Sequence, residues 1–157
     1  MSETARLADQ IRRAFDGDAW HGDSLLEILN GVNAKAAAAH PIKSAHSIWE
    51  LVLHVAAWDG AALKRTAGTA VELSDDQNFP PVQDTSEAAW GKAIEHAKHT
   101  HNALVKAVAA FPESRLQEQV PGKTESYYNF FYLFSGIVQH ELYHAGQIAL
   151  LKKAQTR

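Results

Sequence analysis

The feature that most restricts the fold lies near the end of the chain. Over about residues 126–153, the positions Phe130, Leu133, Ile137, His140, His144, Gln147, Leu151 and Ala154 fall on one helical seam. Three consecutive seam positions are polar, with apolar positions on both sides. Burying such groups without partners costs about 1–3 kcal/mol each, so a helix bundle keeps them there only to bind something. His140 and His144 are four residues apart and project from one face, about 40° apart around the axis. Neutral imidazoles paired in this way are ready metal ligands.

The chain around this seam is patterned for more helices. Leu7, Ala8, Ile11, Ala14 and Phe15 predict an amphipathic helix over residues 3–16, broken by Gly17 to Gly22. Ser24 with Glu27 forms a capping box ahead of a short helix from Leu25 to about Val32, and the alanines of residues 34–39 add a turn. Ser47 with Glu50 repeats the box and starts a helix running to about Ala67. Its buried stripe is Ile48, Leu51, Val52, Val55, Trp58 and Ala62, with His54 at the edge or within it. Over about residues 85–110, Trp90, Ile94, Ala97, His101, Leu104, Val108 and Phe111 step alternately by four and three, a bundle seam containing one histidine. Lys152, Lys153 and Arg157 complement the negative end of the last helix.

Residues 68–84, with Gly68, Pro80 and Pro81, are expected to lack regular structure. About sixteen extended residues reach some 50 Å, whereas a helix of about 22 residues is only about 33 Å long. The connection is therefore long enough to cross the whole bundle and set the third main helix parallel to the second.

His140-Glu141-Leu142-Tyr143-His144 matches the H-E-x-x-H string of zinc proteases. The extended protease motif would place glycine at 147 and histidine at 150, where this chain has Gln147 and Leu150. Glu141 is then expected to face solvent beside the seam. With no cysteine in the chain, any metal is held by His, Asp or Glu. The third ligand comes from upstream, with His54 and His101 as the candidates. His96 and His99 fall on a polar face, His40 and His46 in loop or cap positions, and His21 beside a glycine-rich turn where it either lines a pocket or is a plain loop residue.

The segment from Ser47 to His54, together with His140-x-x-x-His144-Ala145-Gly146-Gln147-Ile148, resembles the DinB-like metal-dependent enzymes. Ala19-Trp20-His21-Gly22 and the ending from Ile148 to Lys153 extend the resemblance over nearly the whole chain. It implies an all-α, single-domain (residues 1–157) four-helix bundle, with a long crossover between helices two and three and a short helix between helices one and two. It also implies that His54, His140 and His144 are the metal ligands, and that His101 is a seam histidine near the site. Gln147 and Glu50, each one helical turn from a ligand, are candidates to orient substrate or ligand, Glu50 by accepting the second N–H of His54.

Three imidazoles leave coordination positions open, as in catalytic rather than structural zinc sites, and zinc and nickel both suit them. The expected function is a metal-dependent enzyme on a small molecule, either a transferase using a low-molecular-weight thiol as co-substrate or a hydrolase. The alternative is a non-catalytic metal-binding stress or interaction protein. A net charge of −3 argues against nucleic acid as a partner. No apolar run reaches membrane-spanning length and Met1-Ser2-Glu3-Thr4 is not a signal peptide, so a cytoplasmic protein is expected. A homodimer is expected from the family resemblance and the commonness of two-fold pairs.

Overall fold

Short polar side chains set where the helices of this chain begin. The computed structural model describes residues 1–155. Ser2 Oγ accepts the Ala5 N–H at the start of α1 (Glu3–Asp16), and the Ser24–Glu27 capping box opens α2 (Leu25–Leu29). Asn33 caps α3 (Ala34–Ala38). The expected Ser47–Glu50 box opens α4 (Ile48–Thr66), with Ser47 N–H donating to Glu50 Oε2 at 2.7 Å and Glu50 N–H to Ser47 Oγ at 3.2 Å. The crossover is not wholly irregular: a third capping box, Ser74 with Gln77, folds α5 (Asp75–Asn78) within it. Ser86 caps α6 (Glu87–Ala109) and Asn129 caps α7 (Phe130–Ala154).

The last helix starts about four residues later than the apolar pattern predicts. Asn129 Oδ1 accepts the Tyr132 N–H at 2.8 Å, while the Phe130 and Phe131 N–H groups donate back to the Glu118 and Leu116 carbonyls. These bonds hold the preceding residues, Tyr127 and Tyr128 included, in a turn. Lys152 does more than complement the helix dipole: its Nζ donates to the Ile28 and Asn30 carbonyls at 2.9 and 2.7 Å, tying α7 to α2. Arg157 lies outside the described residues.

α1, α4, α6 and α7 form a four-helix bundle, with α2 and α3 as the short helices between its first and second members. Trp49 meets Trp90 near the start of α4 and α6, and Asp59 meets His101 about halfway along both. Ala62 shares a cluster with Leu104 and Val108 towards their ends. The two helices are therefore parallel, and the crossover traverses the bundle as its length allows.

The core is in two apolar pieces. One contains Trp49, Val52, Val55, Ala56, Trp90, Ala97, Ala145 and Ile148; the other contains Ile11, Ala62, Leu104, Phe130, Phe134 and Ile137. Between these pieces three of the helices place a buried polar residue: Asp59 on α4, His101 on α6 and Glu141 on α7. Among the described residues, no helix is long and apolar enough to cross a membrane. Replacing Ser47, which is 1% exposed, with alanine removes the cap of the helix that carries His54. The Ser47→Ala protein is expected to be less stable by about 1 kcal/mol in urea unfolding, with an unchanged denaturant slope.

Candidate metal centre

α4 and α7 bring His54, His140 and His144 together. His140 Nε2 lies 2.9 Å from His54 Nε2 and 3.1 Å from His144 Nε2, and the three residues form a group that could hold a metal ion. The other ring nitrogens show what these contacts are. His54 Nδ1 is 2.7 Å from the Asn78 backbone carbonyl, which can only accept, so Nδ1 carries the proton and Nε2 a lone pair. His144 Nδ1 donates likewise to Gln147 Oε1 at 2.6 Å, which leaves its Nε2 as a second lone pair. Both lone pairs face His140 Nε2, which can donate a proton to only one of them. His140 Nδ1 is buried without a partner.

A cation at the convergence point removes the conflict. With metal–nitrogen bonds of about 2.0–2.1 Å, neighbouring ligands on one ion sit roughly 2.9–3.4 Å apart, matching the observed separations. The donor set suits the borderline ions that favour imidazole.

Electrostatics agree with a neutral triad. Burial, followed by the charges of His144 and His54, pulls His140 down to about 3. Burial also lowers His54 and His144, against the bonds to Asn78 and Gln147 that favour their charged forms. Protons therefore compete poorly with a metal here at neutral pH.

The crossover roofs this site. Trp58 Nε1 donates to Asn78 Oδ1 at 2.8 Å, fixing α5 against α4. Phe79 stacks on His54 at 4.1 Å between centroids and on His46 at 3.9 Å. On the other side the three histidines open into a cavity of about 440 Å³ walled by Trp58, Tyr128, Tyr132 and Tyr143. Its described wall contains no Lys, Arg, Asp or Glu.

The remaining candidates are distributed differently from expectation. Gln147 is at the site, holding His144. Glu50 does not reach His54: it accepts the Ser47 N–H and lies 3.4 Å from His46, and the Asn78 carbonyl takes the role expected of it. His21 is exposed and lines hollows beside Leu142, away from the histidine pocket. His101 is a buried seam residue that does not line the pocket. Glu141, expected in solvent, is 0% exposed and its Oε1 lies 2.9 Å from His101 Nδ1. The row Ile137, Glu141, Ala145, Ile148 is as buried as the row carrying the histidines, because α7 is surrounded on a broad face.

Burial opposes a charge on His101, but hydrogen bonds to Asp59 and Glu141 outweigh it and raise its pKa to about 9. Burial, reinforced by Asp59, lifts Glu141 to about 8, and burial raises Asp59. Asp59 was readable as part of the row Val55, Asp59, Ala62. The Asn78 carbonyl has no side-chain signature, and nothing in the spacing places Tyr128, Tyr132 and Tyr143 around one cavity.

Two outcomes follow for metal binding. Gln147→Leu removes the acceptor that orients His144 and is expected to weaken zinc binding about 10–100-fold in a competitive chelator titration. A lowered histidine pKa means that affinity is lost only as pH falls through that lowered value. In the wild type, affinity is therefore expected to change little between about pH 7.5 and 6.5, where ligands of ordinary pKa would already lose ground to protons.

A model of the DinB superfamily matches residues 19–148. No curated protein and no solved structure matches the chain. The match includes α4, the crossover and the histidine-bearing part of α7, and so takes in all three converging imidazoles: the chain belongs to the DinB superfamily.

Proposed function

We propose that this protein is a metal-dependent enzyme acting on a small uncharged molecule, with His54, His140 and His144 as the ligands of a divalent ion, zinc or nickel. One observation carries the reading: two proton-free ring nitrogens converge with a third at the floor of an open pocket. A structural site would be closed by a fourth protein ligand, whereas three ligands beside a cavity leave room for a substrate. A bound ion would supply Lewis acidity there, polarising a substrate oxygen or sulfur or lowering the pKa of water.

The chain's own residues contribute orientation and selection. Asn78 and Gln147 fix the tautomers of His54 and His144. Trp58, Tyr128 and Tyr132 offer aromatic faces for an apolar body. With no cation among its described wall residues, the pocket offers an anionic substrate no side-chain counter-charge. With no cysteine in the chain, a sulfur nucleophile has to arrive from solution. Transfer of a low-molecular-weight thiol to an electrophile, or hydrolysis of a small substrate, are the reaction classes this arrangement serves.

Metal analysis of wild type beside a His140→Ala/His144→Ala double variant is the first test. The double variant is expected to lose the ion bound at the three histidines, and equal metal content in the two proteins would end the reading. Metal-loaded wild type should then show metal-dependent loss of thiol, or of ester, across a panel of uncharged electrophiles and esters. Metal binding without turnover over the whole panel would leave a binding protein.

A further inference from the structure

Halfway along the bundle, Asp59 of α4, His101 of α6 and Glu141 of α7 meet at a single ring nitrogen. His101 Nδ1 lies 3.1 Å from Asp59 Oδ2 and 2.9 Å from Glu141 Oε1. Phe15 of α1 stacks on the imidazole at 4.0 Å, closing the cluster from the fourth helix. Asp59, His101 and Glu141 are all 0% exposed. None of them lines the pocket above the three histidines.

Hydrogen bonding does not satisfy this cluster. A ring nitrogen carries at most one proton, yet two carboxylates face His101 Nδ1. Asp59 Oδ1 and Glu141 Oε2 have no hydrogen-bond partner, and Glu141 Oε1 has only the Nδ1 proton that Asp59 also claims. Ionising both carboxyl groups against one imidazolium would leave a negative charge in excess in the dry core, a costly arrangement. The other fully buried cation does not relieve it: Arg65 donates to the Val71 carbonyl and lies over the Trp58 ring.

We propose that Asp59, His101 and Glu141 form a second metal site, separate from the three histidines, for a divalent ion of the manganese or iron type. A divalent ion with two carboxylates and a neutral imidazole sums to zero charge. It also ends the competition of two carboxylates for one ring proton. The N···O separations of 2.9 and 3.1 Å are those of neighbouring ligands on one ion. Carboxylate ligands accept manganese more readily than three imidazoles do, so with zinc limiting, the three histidines take the zinc and the second site is left to manganese. Carboxylate and histidine side chains projecting into a bundle core are a known way to hold such ions.

The test is a metal count on the full chain. Protein refolded with excess Mn²⁺ and one equivalent of Zn²⁺, then passed over a chelating resin, is analysed for total metal, with Mn²⁺ followed by electron paramagnetic resonance. Wild type is expected to retain about two ions per chain, and Asp59→Asn and Glu141→Gln about one, with the manganese lost. The His140→Ala/His144→Ala variant should keep one ion, zinc or manganese. About one ion in wild type, lost in that double variant, would mean that Asp59 and Glu141 share protons with His101 and would overturn the second site. So would two ions retained by Asp59→Asn and Glu141→Gln variants with wild-type circular dichroism. A single ion that survives the double histidine variant would uphold the second site and reject the first. The wild-type count alone separates one site from two, even where a variant does not fold.

Discussion

Polar groups in the middle of a helix bundle have to answer to one another, because water does not reach them. Here that constraint organises the whole interior. Asp59, His101 and Glu141 sit level with one another on three helices, and the apolar core is divided into a piece on either side. Helix register matters as a result: sliding α7 by one turn would withdraw Glu141 from His101 and leave only one of His140 and His144 beside His54. The buried polar layer and the three-histidine cluster are thus two consequences of one alignment of α4 with α7.

The long crossover takes part in this chemistry. It covers the distance that a parallel pair of helices requires, and on the way delivers the Asn78 carbonyl to one imidazole and the Phe79 ring to its face. Trp58 is shared between roof and pocket, since its indole N–H anchors Asn78 while its ring walls the cavity. The site is therefore assembled from helices that position the imidazoles and a loop that decides which nitrogen of His54 carries a proton.

Much of this was legible in the residue pattern, for identifiable reasons. His140 and His144 interrupt an apolar seam at a spacing only a helix brings together, and capping boxes mark helix starts with residues whose chemistry is local. The parallel course of α6 followed from the length of the preceding connection. Glu141 was misplaced because reading one seam assumes one buried stripe, whereas α7 is enclosed over a wider arc and buries the adjacent row as well. Glu50 was a candidate for His54 because it lies one turn away, but its other reading, the capping box, is the one observed: its carboxylate is taken by the Ser47 N–H. The pocket was invisible for another reason: Tyr128 comes from a turn whose path depends on backbone bonds to Glu118 and Leu116.

The two oriented imidazoles differ in what holds them. His144 leans on the amide of Gln147, so one nucleotide change can retune its basicity and with it the electron density offered to an ion. His54 leans on a main-chain carbonyl, which every amino acid possesses. Substitution at position 78 leaves that oxygen in the chain; only a changed loop path moves it. One imidazole is thus open to gradual adjustment during divergence, while the other is altered mainly by insertions, deletions or remodelling of the crossover.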